Sequence, residues 1–172
     1  MVKAKQEWLF IFYSVPSNPV SNRMKIWRKL AKAGAVQLKG SVYILPATEE
    51  HEELFQWLIG EVKSMGGDGA FVRTADVRTM SEAEIRKLFT AQADQEYRKL
   101  EKPIDVLERK VQSIRKGSKG EEAKRLVDQA ARHAKEFDEI VRHDFFFSAA
   151  GKAMKQRFQA LETGLRDAGK KT

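Results

Sequence analysis

The chain has 172 residues, a net charge of +8 and a hydrophobic content of 42%. It contains no cysteine, which excludes a disulfide scaffold, a cysteine zinc site and thiol chemistry, and which fits the cytoplasmic location that we expect. The longest apolar run is far shorter than the ~20 residues of a membrane helix, and no signal peptide is evident before it. A pI near 9.7 is typical of nucleic-acid-binding proteins when the positive charge is clustered.

The first part of the sequence predicts a strand followed by a basic helix. Trp8–Ser14 is a continuous apolar and aromatic run, as expected of a buried strand. The helix is predicted over roughly 21–33, with Ser21 or Asn22 as its N-cap and Gly34 as its stop. Apolar residues at helical spacing predict the face that packs against a sheet: Met24, Trp27, Leu30 and Ala31.

The following segments complete a ferredoxin-like order of elements. AVQLKGSVYILP predicts two short strands with a tight turn at Lys39-Gly40. Thr48 is the expected N-cap of a second amphipathic helix, and GGDGAFVRTADV predicts the last strand. Residues 1–80 therefore predict an α+β, ferredoxin-like βαββαβ domain, with a four-stranded antiparallel sheet and two helices on one face. The open edges of such a sheet favour a homodimer.

Residues 81–172 predict an all-helical module, a helical hairpin plus a third helix. Ser81 and Glu84 have the spacing of a capping box, and Pro103 predicts a kink or a restart. A heptad-like seam defines the first helix: Phe89, Ala93, Tyr97, Leu100, Ile104, Leu107, Val111 and Ile114. Two further stripes define the others: Ala123, Val127, Ala130, Ala134, Phe137 and Val141, then Met154, Phe158, Leu161 and Leu165. RKGSKGEE predicts a loop that lets the hairpin close, which favours packing within the chain over an intermolecular coiled coil.

Patterns typical of catalysis or metal binding are sparse. His51, His133 and His143 match no metal motif such as HExxH, and we interpret them as solvated surface residues. The carboxylates of SEAE and EEHEE lie at helix N-termini, where the helix dipole accounts for them. GGDG matches no nucleotide-binding fingerprint and is interpreted as a helix stop and turn. The sequence therefore predicts no enzyme, no cofactor and no metal site.

The basic helix is the strongest candidate for a binding site. Four cations share one face at spacings i, i+3, i+4 and i+7: Lys25, Arg28, Lys29 and Lys32. Positive side chains that share one face and have no acidic partners repel one another unless an anion neutralises them. We therefore hypothesise that these residues and Arg23 contact DNA phosphates. A merely solvated face is the alternative. Ser21, Asn22 and Arg23 at the helix start form a candidate oxyanion site.

Two motifs in residues 12–46 resemble a known family. One is an R-x-x-x-W-R-x-L-x-x-x-G helix and the other a G-x-V-Y-x-L-P hairpin, as in the N-terminal region of the chromate-resistance ChrB family. The matching positions are Arg23, Trp27, Arg28, Leu30, Gly34, Gly40, Val42, Tyr43, Leu45 and Pro46. The resemblance continues at Ser81–Phe89, Tyr97 and DFFFSAAG (Asp144–Gly151), and it covers most of the chain.

This resemblance implies a repressor-type transcriptional regulator of a chromate-resistance operon, which binds promoter DNA and responds to chromate as effector. Family members carry a second, C-terminal domain, so a non-catalytic accessory protein that needs a separate sensor-domain partner is the alternative. No helix-turn-helix is evident, which leaves open the element that reads bases. A weaker resemblance to phenylacetate-type repressor C-terminal domains and CRISPR adaptation nucleases raises a third interpretation, a nuclease. Ser14 stands where those nucleases hold a metal with Asp, and serine is a poor Mg²⁺ ligand.

Overall fold

The computed structural model describes residues 5–114 and 120–169. The elements in chain order are β1 (Trp8–Ser14), α1 (Val20–Lys32), β2 (Val36–Lys39), β3 (Val42–Pro46), α2 (Glu49–Ser64), β4 (Asp68–Thr74), α3 (Glu82–Ile114), α4 (Gly120–His143) and α5 (Ala149–Gly169). The chain divides into two compact units, Met1–Leu88 and Phe89–Thr172, and the division falls inside α3. Over the described ranges, none of the helices has both the length and the apolar character needed to cross a membrane.

The first unit contains a four-stranded antiparallel sheet in the order β2-β3-β1-β4. The predicted ferredoxin-like α+β fold is confirmed, because this strand order follows from two βαβ crossovers joined by a hairpin. Ile11 of β1 lies opposite Tyr43 on one side and Phe71 on the other. These three side chains share the face of the sheet that carries α2, since Phe71 meets Phe55 of α2 edge to face with centroids 6.0 Å apart.

Most helix ends and turns of this unit follow their local sequence. The Thr48 hydroxyl accepts a hydrogen bond from the His51 backbone N–H at 3.1 Å, which confirms the predicted cap of α2. Gly34 and Gly40 adopt the left-handed conformation (φ 76 and φ 56) at the end of α1 and in the hairpin. The predicted N-cap of α1 is wrong, because Pro19 already provides the extended backbone of an N-cap, which places Ser21 within the first turn.

The interpretation of His51 as a solvated residue is also wrong. Its side chain is buried, with Nδ1 2.8 Å from the backbone carbonyl oxygen of Pro46. The first turn of α2 follows directly on β3, so an imidazole at this position reaches back to the end of the strand. His133, by contrast, lies on α4 and forms an exposed pair with Glu136 at 3.1 Å.

The second unit has a single core formed by α3, α4 and α5, which confirms the predicted packing of the stripes within the chain. The described seam residues of α3 are all buried: Phe89, Ala93, Tyr97, Leu100, Ile104, Leu107 and Val111. The side chain of Ile114 lies outside the described set. Of the two outcomes predicted at Pro103, the restart is wrong, because α3 is one continuous helix, and the kink stays a prediction. Leu100 and Ile104 are buried on either side of the proline, and their packing stabilises the turn in which proline removes an N–H donor. The Ser81 and Glu84 capping box is confirmed, with Glu84 accepting from the Ser81 N–H at 2.7 Å.

The inward face of α4 contains four of the six predicted stripe residues, Ala123, Ala130, Ala134 and Phe137, but neither of the two valines. Leu126 and Phe137 are buried, whereas Val127 and Val141 are 49% and 46% exposed. Either of two neighbouring faces satisfies a helical spacing, and the larger Leu126 side chain removes more apolar area from water than Val127 does. Residues 115–119 of the predicted RKGSKGEE loop lie outside the described residues.

A buried polar cluster closes the turn between α4 and α5. The Asp144 carboxylate accepts hydrogen bonds from the Ser148 N–H at 3.0 Å and from the Tyr97 hydroxyl at 3.3 Å. Burial, followed by the negative charge of Asp144, raises the pKa of Tyr97 above its ordinary value, so the phenol stays a donor. A Cβ atom on Gly151 would lie 2.7 Å from Asp144 Oδ2 and 2.9 Å from the Tyr97 hydroxyl oxygen. Glycine is therefore required where α5 begins.

Candidate nucleic-acid interface

Helix α1 buries two side chains that lie one turn apart. Ile26 and Leu30 are 0% exposed, and together they define the inward face of the helix. The burial of these two side chains determines which other side chains of α1 point to solvent.

Three cations on α1 form an unneutralised surface, here called the basic face: Lys25, Arg28 and Lys32. All three are exposed, and none pairs with a residue in the parts of the chain that the structure describes. The helix sequence VSNRMKIWRKLAK contains no acidic residue. Like charges within two helical turns raise the local positive potential, which attracts polyanions over a distance of roughly 8–10 Å at physiological salt.

Lys29, the fourth cation of the predicted stripe, has partners within the unit. Its Nζ lies 2.6 Å from Glu61 Oε2 and 3.6 Å from the centre of the Trp57 ring, both on α2. The expectation that the stripe lacks internal partners is therefore wrong for this residue. The reason is that α2, which is distant in sequence, lies beside α1 and supplies both a carboxylate and an aromatic ring.

Three of the four residues predicted to pack on the sheet are instead exposed to solvent, and only Leu30 is buried. Val20, Met24 and Trp27, here called the apolar stripe, are 68%, 38% and 44% exposed, and Ala31 is exposed as well. The prediction failed because α1 has apolar residues around more than half of its circumference, and the side that is buried contains Ile26 and Leu30. The apolar stripe lies beside the basic face, since Met24 and Arg28 are one turn apart.

Arg23 lies in the first turn of α1, near two stacked tyrosines. The Tyr13 and Tyr43 rings are 6.2 Å apart with an angle of 22° between their planes, and each phenol influences the pKa of the other. Burial raises the pKa of Tyr13 to about 12, while the positive charge of Arg23 acts in the opposite direction on Tyr13 and Tyr43 alike. A guanidinium beside two phenol hydroxyls offers several hydrogen-bond donors to an anion.

The placement of Arg23 can be tested by titrating the tyrosines. We expect Arg23→Gln to raise the pKa of Tyr13 above about 12, because a nearby positive charge that favours tyrosinate is lost. Since the ordinary value is 10.0, the folded chain keeps a proton that the unfolded chain loses, so stability falls as pH rises from 10.0 to about 12. Absorbance of tyrosinate during a pH titration measures the shift.

Arg28→Gln is the matched control for this titration, because it removes the same charge from an exposed position of the same helix. We expect it to leave the tyrosine titration unchanged. An equal titration curve for Arg23→Gln and the parent would contradict the placement of the guanidinium beside Tyr13 and Tyr43.

Sequence reasoning named the cations and the helix start but missed the two tyrosines. A signal for them exists: Tyr13 and Tyr43 lie on the same face of neighbouring antiparallel strands, two residues out of register with each other. Reading it requires the β1–β3 register, which no local pattern provides. Ser21, Asn22 and Arg23 occupy consecutive positions in the first turn of α1.

The described ranges contain no group of three or more His, Cys, Asp or Glu side chains close enough to hold a metal ion. Ser14 ends β1 and pairs with Asp68 across the sheet. The Asp68 carboxylate accepts a hydrogen bond from the Gly69 backbone N–H at 2.8 Å.

Comparison with known proteins gives two findings. A family model described as "Protein ChrB, N-terminal" matches residues 23–168. Protein ChrB of Cupriavidus metallidurans is 27% identical to this chain over 139 residues, which is 81% of the chain and 40% of the length of that relative. No solved structure matches the chain significantly.

Proposed function

The chain belongs to the ChrB N-terminal family, and from this premise we propose that it is a DNA-binding transcriptional regulator of a chromate-resistance operon, with chromate as its effector. Membership in the family supports an involvement in chromate resistance. The proposed role is non-catalytic, and the proposed assembly is a homodimer, because β2 and β4 form the edges of the sheet.

The basic face is the observation that carries the proposed DNA binding. Lys25, Arg28 and Lys32 project from one helix without an acidic neighbour among the described residues. Exposed cations in this arrangement gain little within the protein, whereas each phosphate contact releases a condensed counterion from DNA. Lys29 has a different role, because its charge is already bound to Glu61.

The start of α1 supports the proposed response to an oxyanion. Chromate is a tetrahedral dianion, and a guanidinium can bind two of its oxygens at once. Arg23, with Ser21 and Asn22 in the same turn and the tyrosine hydroxyls nearby, is the proposed contact. The same turn leads into the basic face, so an anion bound here would compete with DNA phosphates.

The test is fluorescence anisotropy with a labelled duplex from the DNA upstream of the protein's own operon, with and without chromate. We expect tight binding that chromate weakens, while sulfate at equal ionic strength has a smaller effect. Equal binding in chromate and sulfate would contradict an effector role of chromate. Absence of binding to the duplex would contradict the regulator itself and favour an accessory protein, and cleavage of the duplex with Mg²⁺ would indicate a nuclease.

A further inference from the structure

Base recognition requires side chains other than the basic face, because phosphate contacts position a protein without reading sequence. We propose that Met24 and Trp27 of the apolar stripe contact the bases of duplex DNA, while the basic face beside them contacts the phosphates. This inference rests on the proposed DNA-binding function and assigns the part of α1 that reads sequence.

The exposure of these two side chains is the first support. Met24 and Trp27 are 38% and 44% exposed, and they are three residues apart on the same side of α1. Neither contributes to the inward face, which Ile26 and Leu30 form. A methionine and a tryptophan left together at the surface are typical of a binding surface, because large apolar side chains gain most when a partner removes them from water.

Charge complementarity identifies the partner as nucleic acid. Lys25 and Arg28 each follow an apolar stripe residue directly in the sequence, and α1 has no acidic residue. A second copy of the chain that packed α1 on α1 about a two-fold axis would bring the two basic faces together, which is unfavourable. A polyanion neutralises the basic face and at the same time covers the apolar stripe.

The dimensions of α1 fit a major groove. Its 13 residues span roughly 20 Å, and the major groove, about 12 Å wide, admits an α-helix. In such a pose the central side chains reach base edges and the flanking ones reach the backbone. Apolar side chains read thymine there, because its methyl group lies in the major groove.

The experiment compares two duplexes of equal length and composition, one from the DNA upstream of the protein's own operon and one with the same bases scrambled. We expect Trp27→Ala and Met24→Ala to lower the preference for the upstream duplex by about tenfold or more, with no change in the salt slope. Lys25→Gln should do the opposite, lowering the salt slope by about 0.9 on both duplexes and keeping the preference.

Trp57→Ala is the matched control, since this tryptophan is 54% exposed but belongs to α2. We expect the preference for the upstream duplex to survive in this variant. Because Trp27 is 44% exposed, Trp27→Ala should still fold, although it loses the packing of the covered part of the ring, and circular dichroism checks this. Trp27→Gln provides a second, polar replacement with the same expected loss of preference.

Two results would overturn the inference. If the parent prefers the upstream duplex and Trp27→Ala and Trp27→Gln keep that preference, base reading lies elsewhere while the proposed function stands. If Trp27→Ala instead converts a dimer to a monomer in sedimentation, the apolar stripe is an interface between copies. A parent that binds neither duplex would contradict both the inference and the proposed function.

Discussion

Replacement of Lys25, Arg28 and Lys32 by glutamine should weaken DNA binding by about two to three orders of magnitude near 0.1 M salt and flatten its salt dependence. Each phosphate contact contributes about 0.9 to the slope of log K against log salt, so three contacts contribute about 2.7. The fold should be retained, with a change in unfolding free energy within about 0.5 kcal/mol, because all three side chains are exposed and lack partners among the described residues. Anisotropy titrations at several salt concentrations measure the slope.

A variant with the same change in net charge distinguishes a local contact from a general attraction. Lys124, Lys135 and Lys152 are exposed on α4 and α5, and their replacement by glutamine should leave the slope nearly unchanged. An equal loss of slope in both triple variants would contradict a specific role of the basic face. Lys29→Gln should lose about 1 kcal/mol of stability rather than salt slope, because its ammonium is bound to Glu61 and Trp57.

Gly151→Ala should destabilise the protein by about 2–5 kcal/mol, although alanine normally favours a helix over glycine. The new methyl group would lie 2.7 Å from Asp144 Oδ2 and 2.9 Å from two atoms of Tyr97. Asp144 is only 8% exposed and Tyr97 only 1%, and both are hydrogen-bonded, so neither can move without breaking the cluster. Equilibrium unfolding in urea, followed by far-UV circular dichroism, measures the loss.

Gly60→Ala is the matched control for this prediction. Gly60 is a helical glycine of α2 around which an added Cβ meets nothing within 4 Å, so alanine there should stabilise the protein by about 0.5–1 kcal/mol. Tyr97→Phe removes one of the atoms that the new methyl group would contact. Gly151→Ala combined with Tyr97→Phe should therefore cost less than the two changes added together. Strict additivity would mean that the Tyr97 hydroxyl does not cause the clash.

Local patterns were sufficient for the elements of the chain because each depends on a few neighbouring residues. Trp8–Ser14 is a strand over its whole predicted length, Thr48 caps α2, and Gly34 ends α1. The seam from Phe89 to Val111 is buried as the heptad spacing requires, since one helix can present only one continuous stripe of that length. The left-handed conformation of Gly40 was likewise predictable, because the tight turn between β2 and β3 requires it.

The candidate site depended on contacts between residues distant in sequence. Its positively charged residues were predicted from the sequence of α1 alone, because the sign of each charge and the helical spacing can be read directly from it. The orientation of α1 was not, because the predicted face contained both Leu30 and Trp27, and only the folded structure shows that Leu30 is buried while Trp27 is 44% exposed. Lys29 was predicted to have no partner within the chain, but it is bound to Glu61, which is 32 residues away in the sequence. Tyr13 and Tyr43 meet only through strand register. The sequence by itself determined which elements form and where charge accumulates, because those properties are local; tertiary packing alone decided which side chains of α1 remain exposed to a partner.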